Sequence, residues 1–168
     1  MNQLDDNAIQ QLRDAVREAS VRADVRLAVE CVYEQLQDAI DLRRPRCDAS
    51  GRCCRFEEFG HRLFVTTMEL ATFLAKAPPV PGEWGGTGCP FQSNRLCDVH
   101  TIRPLGCRIF FCDPSAGEWQ AEQYERFHRQ IKRLHDDLAV PYLYVEWRQG
   151  LRAAGLGHSN LSQSPFLL

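Results

Sequence analysis

The chain has 168 residues, of which 44% are hydrophobic and 25% are charged, proportions typical of a globular protein and not of a disordered one. Twenty Lys and Arg residues against 22 Asp and Glu residues give a net charge of -2, so there is no global basic field to attract nucleic acid or anionic lipid. The apolar runs are too short to span a bilayer. We therefore expect neither nucleic acid nor a membrane as a partner.

The first 44 residues predict an N-terminal helical arm. Ile9, Leu12 and Val16 recur at three- and four-residue steps, and Pro45 ends the pattern. Cys31 lies beside this apolar stripe and is expected to be a small buried hydrophobic residue. The N-terminus has neither a basic region nor an apolar segment of a secretory signal peptide, which favours a cytoplasmic location.

Residues 45–114 are short of periodicity and rich in cysteine, and they predict an irregular segment between helices. Within it, residues 61–66 read as a brief strand, and Thr66 or Thr67 can cap a short helix together with Glu69. The run Ala77-Pro-Pro-Val-Pro-Gly82 ends that helix.

Residues 115–150 predict a C-terminal helical segment, and residues 142–147 read either as a short strand or as one more helical turn. His128 and His135 share one face of this helix and are expected to be solvated. The tail, residues 151–168, is expected to be loosely ordered apart from Phe166-Leu-Leu. The chain is thus predicted to be one mainly α domain with an irregular cysteine-rich metal-binding core and one or two short strands.

Eight cysteines are the unusual feature of the composition, and seven fall in the central segment. Thiols in the cytoplasm stay reduced, and thiolates are strong ligands for zinc and for iron–sulfur clusters. Adjacent cysteines diverge, so one of Cys53 and Cys54 need not bind. None of the spacings is the C-x₂-C of a zinc ribbon, and seven thiols exceed the four of one zinc site. The candidate metal ligands are Cys47, Cys53, Cys54, Cys89, Cys97, Cys107 and Cys112.

The cysteine pattern resembles a known family. The segment Cys47-Asp-Ala-Ser-Gly-Arg-Cys53-Cys54 is followed by Cys89-Pro, by Cys97, and by Arg103-Pro-Leu-Gly-Cys107-Arg-Ile-Phe-Phe-Cys112. This arrangement resembles the YkgJ-type cysteine-cluster family, named for a CxxCxxCC signature and described as zinc- or iron-chelating. The resemblance spans residues 45–114 and implies a metal ion as the ligand, either zinc or iron, including an iron–sulfur cluster.

Two residues depart from the family pattern. Ser50 stands where the signature has its second cysteine, and a hydroxyl is a poor ligand for soft metals. His100 stands where the family usually has tyrosine, as a nitrogen ligand or as a surface or structural histidine.

Arg103 and Arg108 have two interpretations. Their charges can offset buried thiolates or hold an anion, or they can position the loop through an ion pair or backbone contacts. Three functions remain open: a metal-binding protein, a cluster-dependent enzyme related to the flagellin lysine N-methylases, and a metal-stabilised module that binds an unknown protein partner. The absence of nucleotide-binding and zinc-protease motifs favours a protein that is not an enzyme.

Overall fold

The computed structural model describes residues 5–80 and 84–156, and the predicted order of Phe166-Leu-Leu lies outside these ranges. Seven α-helices lie in the described ranges. They are α1 (Asp6–Ser20), α2 (Ala23–Arg43), α3 (Phe56–Phe59), α4 (Thr67–Leu74), α5 (Leu105–Arg108), α6 (Gly117–Asp137) and α7 (Trp147–Ala153). Two 3₁₀ turns, Arg52–Cys54 and Pro114–Ala116, complete the helical elements there. The prediction of a mainly α fold is confirmed.

Four short strands form two antiparallel pairs in the described residues, where one or two strands were predicted. Strand β1 (Phe64–Thr66) pairs with β4 (Tyr144–Glu146), and Thr66 lies opposite Tyr144. Strand β2 (Gln92–Ser93) pairs with β3 (Leu96–Cys97). The two residues between β2 and β3, Asn94 and Arg95, both have positive φ, as a tight two-residue hairpin requires. Within the segment 142–147, residues Tyr144–Glu146 are a strand, and Trp147 begins α7.

The N-terminal arm is two helices, because the chain leaves the helical conformation at Arg22. Arg22 binds the Asp24 carboxylate and donates to the carbonyl of Leu138, which fixes the break against the end of α6. Helix α1 packs on α4 and α7, and α2 packs on α4 and α6. Cys31 is exposed on α2, so the prediction that it is buried is wrong.

Helix α4 is the centre of the fold, because every one of its residues is buried. The hydrophobic core around it includes side chains from α1, α2, β1, α6 and α7. Among them are Leu12, Leu36, Val65, Phe127, Ile131 and Trp147. The centre of the molecule is therefore an apolar helical core, and the cysteine-rich segment packs at its side. Across residues 5–80 and 84–156, no helix combines the length and the apolar character needed to cross a membrane.

The buried carboxylate of Glu69 organises the start of α4. Thr66 is the N-cap, its hydroxyl accepts from the Glu69 N–H, and the Glu69 carboxylate accepts from the Thr66 N–H at 2.9 Å. This is the reciprocal cap predicted from the sequence. The other Glu69 oxygen accepts from the Leu105 N–H at 3.0 Å and from the Tyr33 hydroxyl at 3.4 Å. Burial raises the pKa of Glu69, because these donors offset only part of the lost hydration.

We expect Glu69→Ala to lower the free energy of unfolding by about 2–4 kcal/mol, since two buried N–H groups lose their acceptor and each costs about 1–3 kcal/mol. Glu69→Gln keeps one acceptor oxygen and should lose less. Urea denaturation checks both, with Glu118→Ala as the control because Glu118 is exposed in the first turn of α6. Equal stability of the Glu69→Ala and Glu118→Ala variants would show that Glu69 does not hold the fold.

His135 is buried at the end of α6, which corrects the expectation of a solvated histidine. Its Nδ1 lies 3.0 Å from the Val140 carbonyl oxygen, and its Nε2 is buried without a hydrogen-bond partner among the described residues. Burial lowers the pKa of His135, because a charged ring would lose its hydration there.

Stability is therefore expected to fall as the pH drops below about 6.5, where His135 takes up a proton in the unfolded chain but not in the folded one. One such proton gives a slope of at most about 1.4 kcal/mol per pH unit. Urea unfolding between pH 5 and pH 7 measures this slope, which should be smaller in His135→Asn. An identical slope in both proteins would exclude His135 as its source.

Candidate metal centre

Two separated parts of the chain meet where the cysteines lie. The first is the 3₁₀ turn Arg52–Cys54, and the second begins at Cys89 and continues through the β2–β3 hairpin. The Cys89 N–H donates to the Cys54 carbonyl at 2.8 Å, and the Gln92 side chain donates to the Gly51 carbonyl at 2.8 Å. These bonds hold the two segments side by side.

Gly51 is required at this junction for two reasons. Its φ of 69° is left-handed, and a Cβ there would lie 2.0 Å from the Arg95 carbonyl oxygen. Glycine meets both demands, because it has no Cβ and adopts positive φ readily. The approach of the hairpin to the turn before Cys53 therefore depends on this residue.

Four thiols affect one another's ionisation at the junction. The thiols of Cys53, Cys89 and Cys97 all act on that of Cys54. These interactions raise the pKa of Cys54 far above its usual range, so that Cys54 keeps its proton and its neighbours carry the negative charge. Both adjacent cysteines take part, although one of them was expected to diverge from the site.

The pKa values of the three thiols next to Cys54 are lowered as a consequence. The Cys54 thiol, helped by the Arg103 guanidinium, lowers the pKa of Cys53 to about 6 and that of Cys97 to about 7. It also lowers the pKa of Cys89, to which the Trp147 side chain contributes. The Trp147 indole nitrogen is buried and has no hydrogen-bond partner in the described structure.

Cys107 lies near this group on α5. Burial, and then the negative charges of Cys89, Cys53 and Cys97, raise its pKa well above the usual range. We call Cys53, Cys54, Cys89, Cys97 and Cys107 the thiol group. The interactions that shift these pKa values do not include Cys47 or Cys112.

The remaining two candidate ligands have other surroundings. Cys47 is exposed, and its neighbour Arg46 donates its backbone N–H to the Asp113 carboxylate at 3.1 Å. The Cys112 sulfur lies 3.4 Å from the Ser50 hydroxyl oxygen. The serine that departs from the family signature thus contacts the last cysteine of the motif.

The two arginines have different surroundings. Arg108 donates to the carbonyls of Arg103 and Thr101 and lies 4.2 Å from the Tyr33 ring centroid, contacts that position the loop. The charge of Arg103 acts on Cys53, Cys97 and Cys107, and its Nε is buried without a hydrogen-bond partner in the described structure. These surroundings favour the interpretation in which Arg103 offsets thiolate charge. His100 is exposed, as expected for a surface histidine.

The thiol group is not a preformed metal site. Among residues 5–80 and 84–156, no three His, Cys, Asp or Glu side chains are grouped so that they could hold a metal ion. The donors nevertheless fit a soft metal chemically, because they are thiols, three with lowered pKa values, next to a cation that reduces their mutual repulsion.

Comparisons of the chain with protein-family models, with curated proteins and with solved structures give no match. The family resemblance therefore rests on the cysteine pattern alone. Sequence reasoning did not identify Trp147 as a neighbour of the thiols, because its position depends on the pairing of β1 with β4.

The lowered pKa values predict an order of thiol reactivity in metal-free protein. Alkylation of Cys53 by iodoacetamide should be half-maximal near pH 6 and that of Cys97 near pH 7. Cys54 and Cys107 should stay unmodified in this range, since their pKa values are raised. Mass spectrometry of the peptides measures each rate, and Cys54→Ala should shift the Cys53 profile to higher pH. A Cys53 profile that is unchanged in this variant would contradict the role given to Cys54.

Proposed function

We propose that this protein is a metal-binding member of the YkgJ-type cysteine-cluster family and that it holds zinc or iron through the thiol group. The observation that carries the proposal is the hydrogen bond from the Cys89 N–H to the Cys54 carbonyl, which brings Cys53 and Cys54 next to Cys89 and the hairpin that contains Cys97. These residues come from separate parts of the chain, so their meeting is a property of the fold.

Electrostatics supports the same function. Several sulfurs that ionise close together repel one another, and a single guanidinium offsets that repulsion only in part. A divalent metal is attracted to such a group, and soft thiolates prefer zinc, copper(I) and iron–sulfur clusters to calcium or magnesium. Ligation of an ion would require the thiol side chains to rearrange, since no three donors are grouped for a metal among the described residues.

The thiol group supplies one donor more than a tetrahedral zinc site uses. The thiols of Cys53, Cys89 and Cys97 act on Cys54, whereas Cys107 is affected mainly by burial and by their charges. The proposed ligands are therefore Cys53, Cys54, Cys89 and Cys97, with Cys107 as the alternate donor. A zinc ion would add cohesion to a segment with little regular structure, and an iron–sulfur cluster would supply one-electron chemistry.

A cytoplasmic location belongs to the same proposal. All eight cysteines lie in the described ranges, and none of them forms a disulfide in the structure. Reduced thiols that are available to bind a metal are what a reducing compartment maintains.

Anaerobic purification followed by elemental analysis and an absorption spectrum tests the proposal. Zinc in a colourless protein, or iron with labile sulfide and broad visible absorption, would support it. Fully titratable thiols without zinc or iron, also after reconstitution with either metal, would contradict it.

Variants locate the ligands. We expect Cys54→Ser and Cys89→Ser to lose most of the bound metal, because each removes a thiol from the centre of the group. Cys112→Ser should retain it, since Cys112 contacts Ser50, and Cys31→Ser is the matched control on α2. Elemental analysis measures metal per chain, and circular dichroism verifies the fold. Full metal content in both Cys54→Ser and Cys89→Ser would remove the ligand assignment.

A further inference from the structure

A cavity of about 300 Å³ lies beside the thiol group, between β1, β4, α3, α5 and α6. Cys53 and Cys107 form part of its wall. Most of the remaining wall is aromatic. The rings that line it are Phe56, His61, Phe64, Phe110, Tyr124 and Tyr144. Its size is at the lower end of the range for small-molecule sites, whose walls are mostly apolar and aromatic.

The rings are arranged in two stacked pairs. The Phe64 and Tyr144 centroids are 5.3 Å apart with an interplanar angle of 26°, and those of His61 and Phe110 are 5.1 Å apart at 21°. Such offset stacking continues readily onto the face of an additional planar ring. The hydroxyls of Tyr124 and Tyr144 bond to each other at 2.5 Å, so the phenol groups are partly satisfied within the wall.

Two of these rings are partly exposed to solvent. Tyr144 is 41% exposed and Phe110 is 37% exposed, whereas Phe56 in the same cavity is 2% exposed. Binding of a ligand that covers exposed aromatic side chains is favourable, because it removes their apolar surface from water.

The charge of the wall restricts the ligand further. Arg62 is the one Lys or Arg among the described residues that line it, and none of them is Asp or Glu. Cys53 is the one wall thiol with a lowered pKa, and the Arg103 guanidinium beside it offsets its charge. Arg62 is exposed, so its guanidinium is available to a ligand. An anionic group on the ligand is therefore favoured over a cationic one.

Gly106 keeps the cavity open next to Cys107. A Cβ at this position would lie 2.6 Å from Leu63 Cδ1 and 3.8 Å from Tyr124 Cε2. Any side chain at position 106 would displace Leu63, which also lines the cavity.

We infer that this cavity binds a planar aromatic anion of one or two rings, next to the thiol group. Aromatic stacking supplies the affinity, Arg62 selects the charge, and the bound ring lies against Cys53 and Cys107. The inference goes beyond the proposed metal binding, and it gives the thiol group a small-molecule ligand as a neighbour.

Titration of the purified protein with 2-naphthoate, a two-ring aromatic carboxylate, tests this inference. We expect saturable binding at one site by calorimetry. The saturated analogue decahydro-2-naphthoate and the cation 2-naphthylmethylammonium should each bind about tenfold more weakly, since one lacks the ring face and the other the charge. Binding of all three with equal affinity, or no saturable binding of 2-naphthoate, would overturn the inference.

Two matched substitutions locate the site. Phe110→Leu should weaken 2-naphthoate binding about tenfold. Phe59→Leu should leave it unchanged, because Phe59 is 40% exposed, as Phe110 is at 37%, but does not line the cavity. Arg62→Gln should remove the preference for the anion. Equal effects of Phe110→Leu and Phe59→Leu would overturn the inference. Metal content measured on the same samples separates this result from the proposed function, because either can fail without the other.

Discussion

The Glu69 carboxylate is the point at which the helical core and the cysteine-rich segment are joined. One oxygen closes the cap of α4, and the other accepts from the first N–H of α5, the helix that carries Cys107. A carboxylate with no water around it is stable only while its donors stay in place. Tyr33 on α2 supplies a third donor. The position of α5, and with it one wall of the thiol group, is thus fixed by a residue of the core.

A second buried charged side chain, that of Arg148, also links the core to the cysteine-rich segment. Arg148 at the start of α7 binds the carboxylates of Glu146 and Glu57, and its guanidinium lies 5.4 Å from the Phe56 ring centroid. Glu57 in turn accepts from the Gly88 N–H at 2.8 Å, next to Cys89. The cysteine-rich segment is therefore joined to the core next to Cys89 as well as at the start of α5.

Local features of the fold could be predicted from the sequence, and contacts between distant segments could not. The cap formed by Thr66 and Glu69 was predictable, because the interacting groups are three residues apart. The pairing of Phe64 with Glu146 was not, since nothing in either short segment specifies its partner. Cys31 was misjudged for a related reason: a position beside an apolar stripe is buried or exposed according to the helices that pack there. The cysteine spacing predicted that thiols would meet, but only the fold shows that Cys47 is exposed and that Cys112 contacts Ser50.

The hydrogen bond from the Cys89 N–H to the Cys54 carbonyl has a consequence for the order of folding. It joins segments that are far apart in the chain, with all of β1 and α4 between them. Closing such a long loop costs entropy that the bond alone cannot repay, so we expect it to form after α4 has docked against α1 and α2. The sulfurs of both segments should consequently come together late. On the proposed function, a metal would therefore bind to a chain whose helices are already packed.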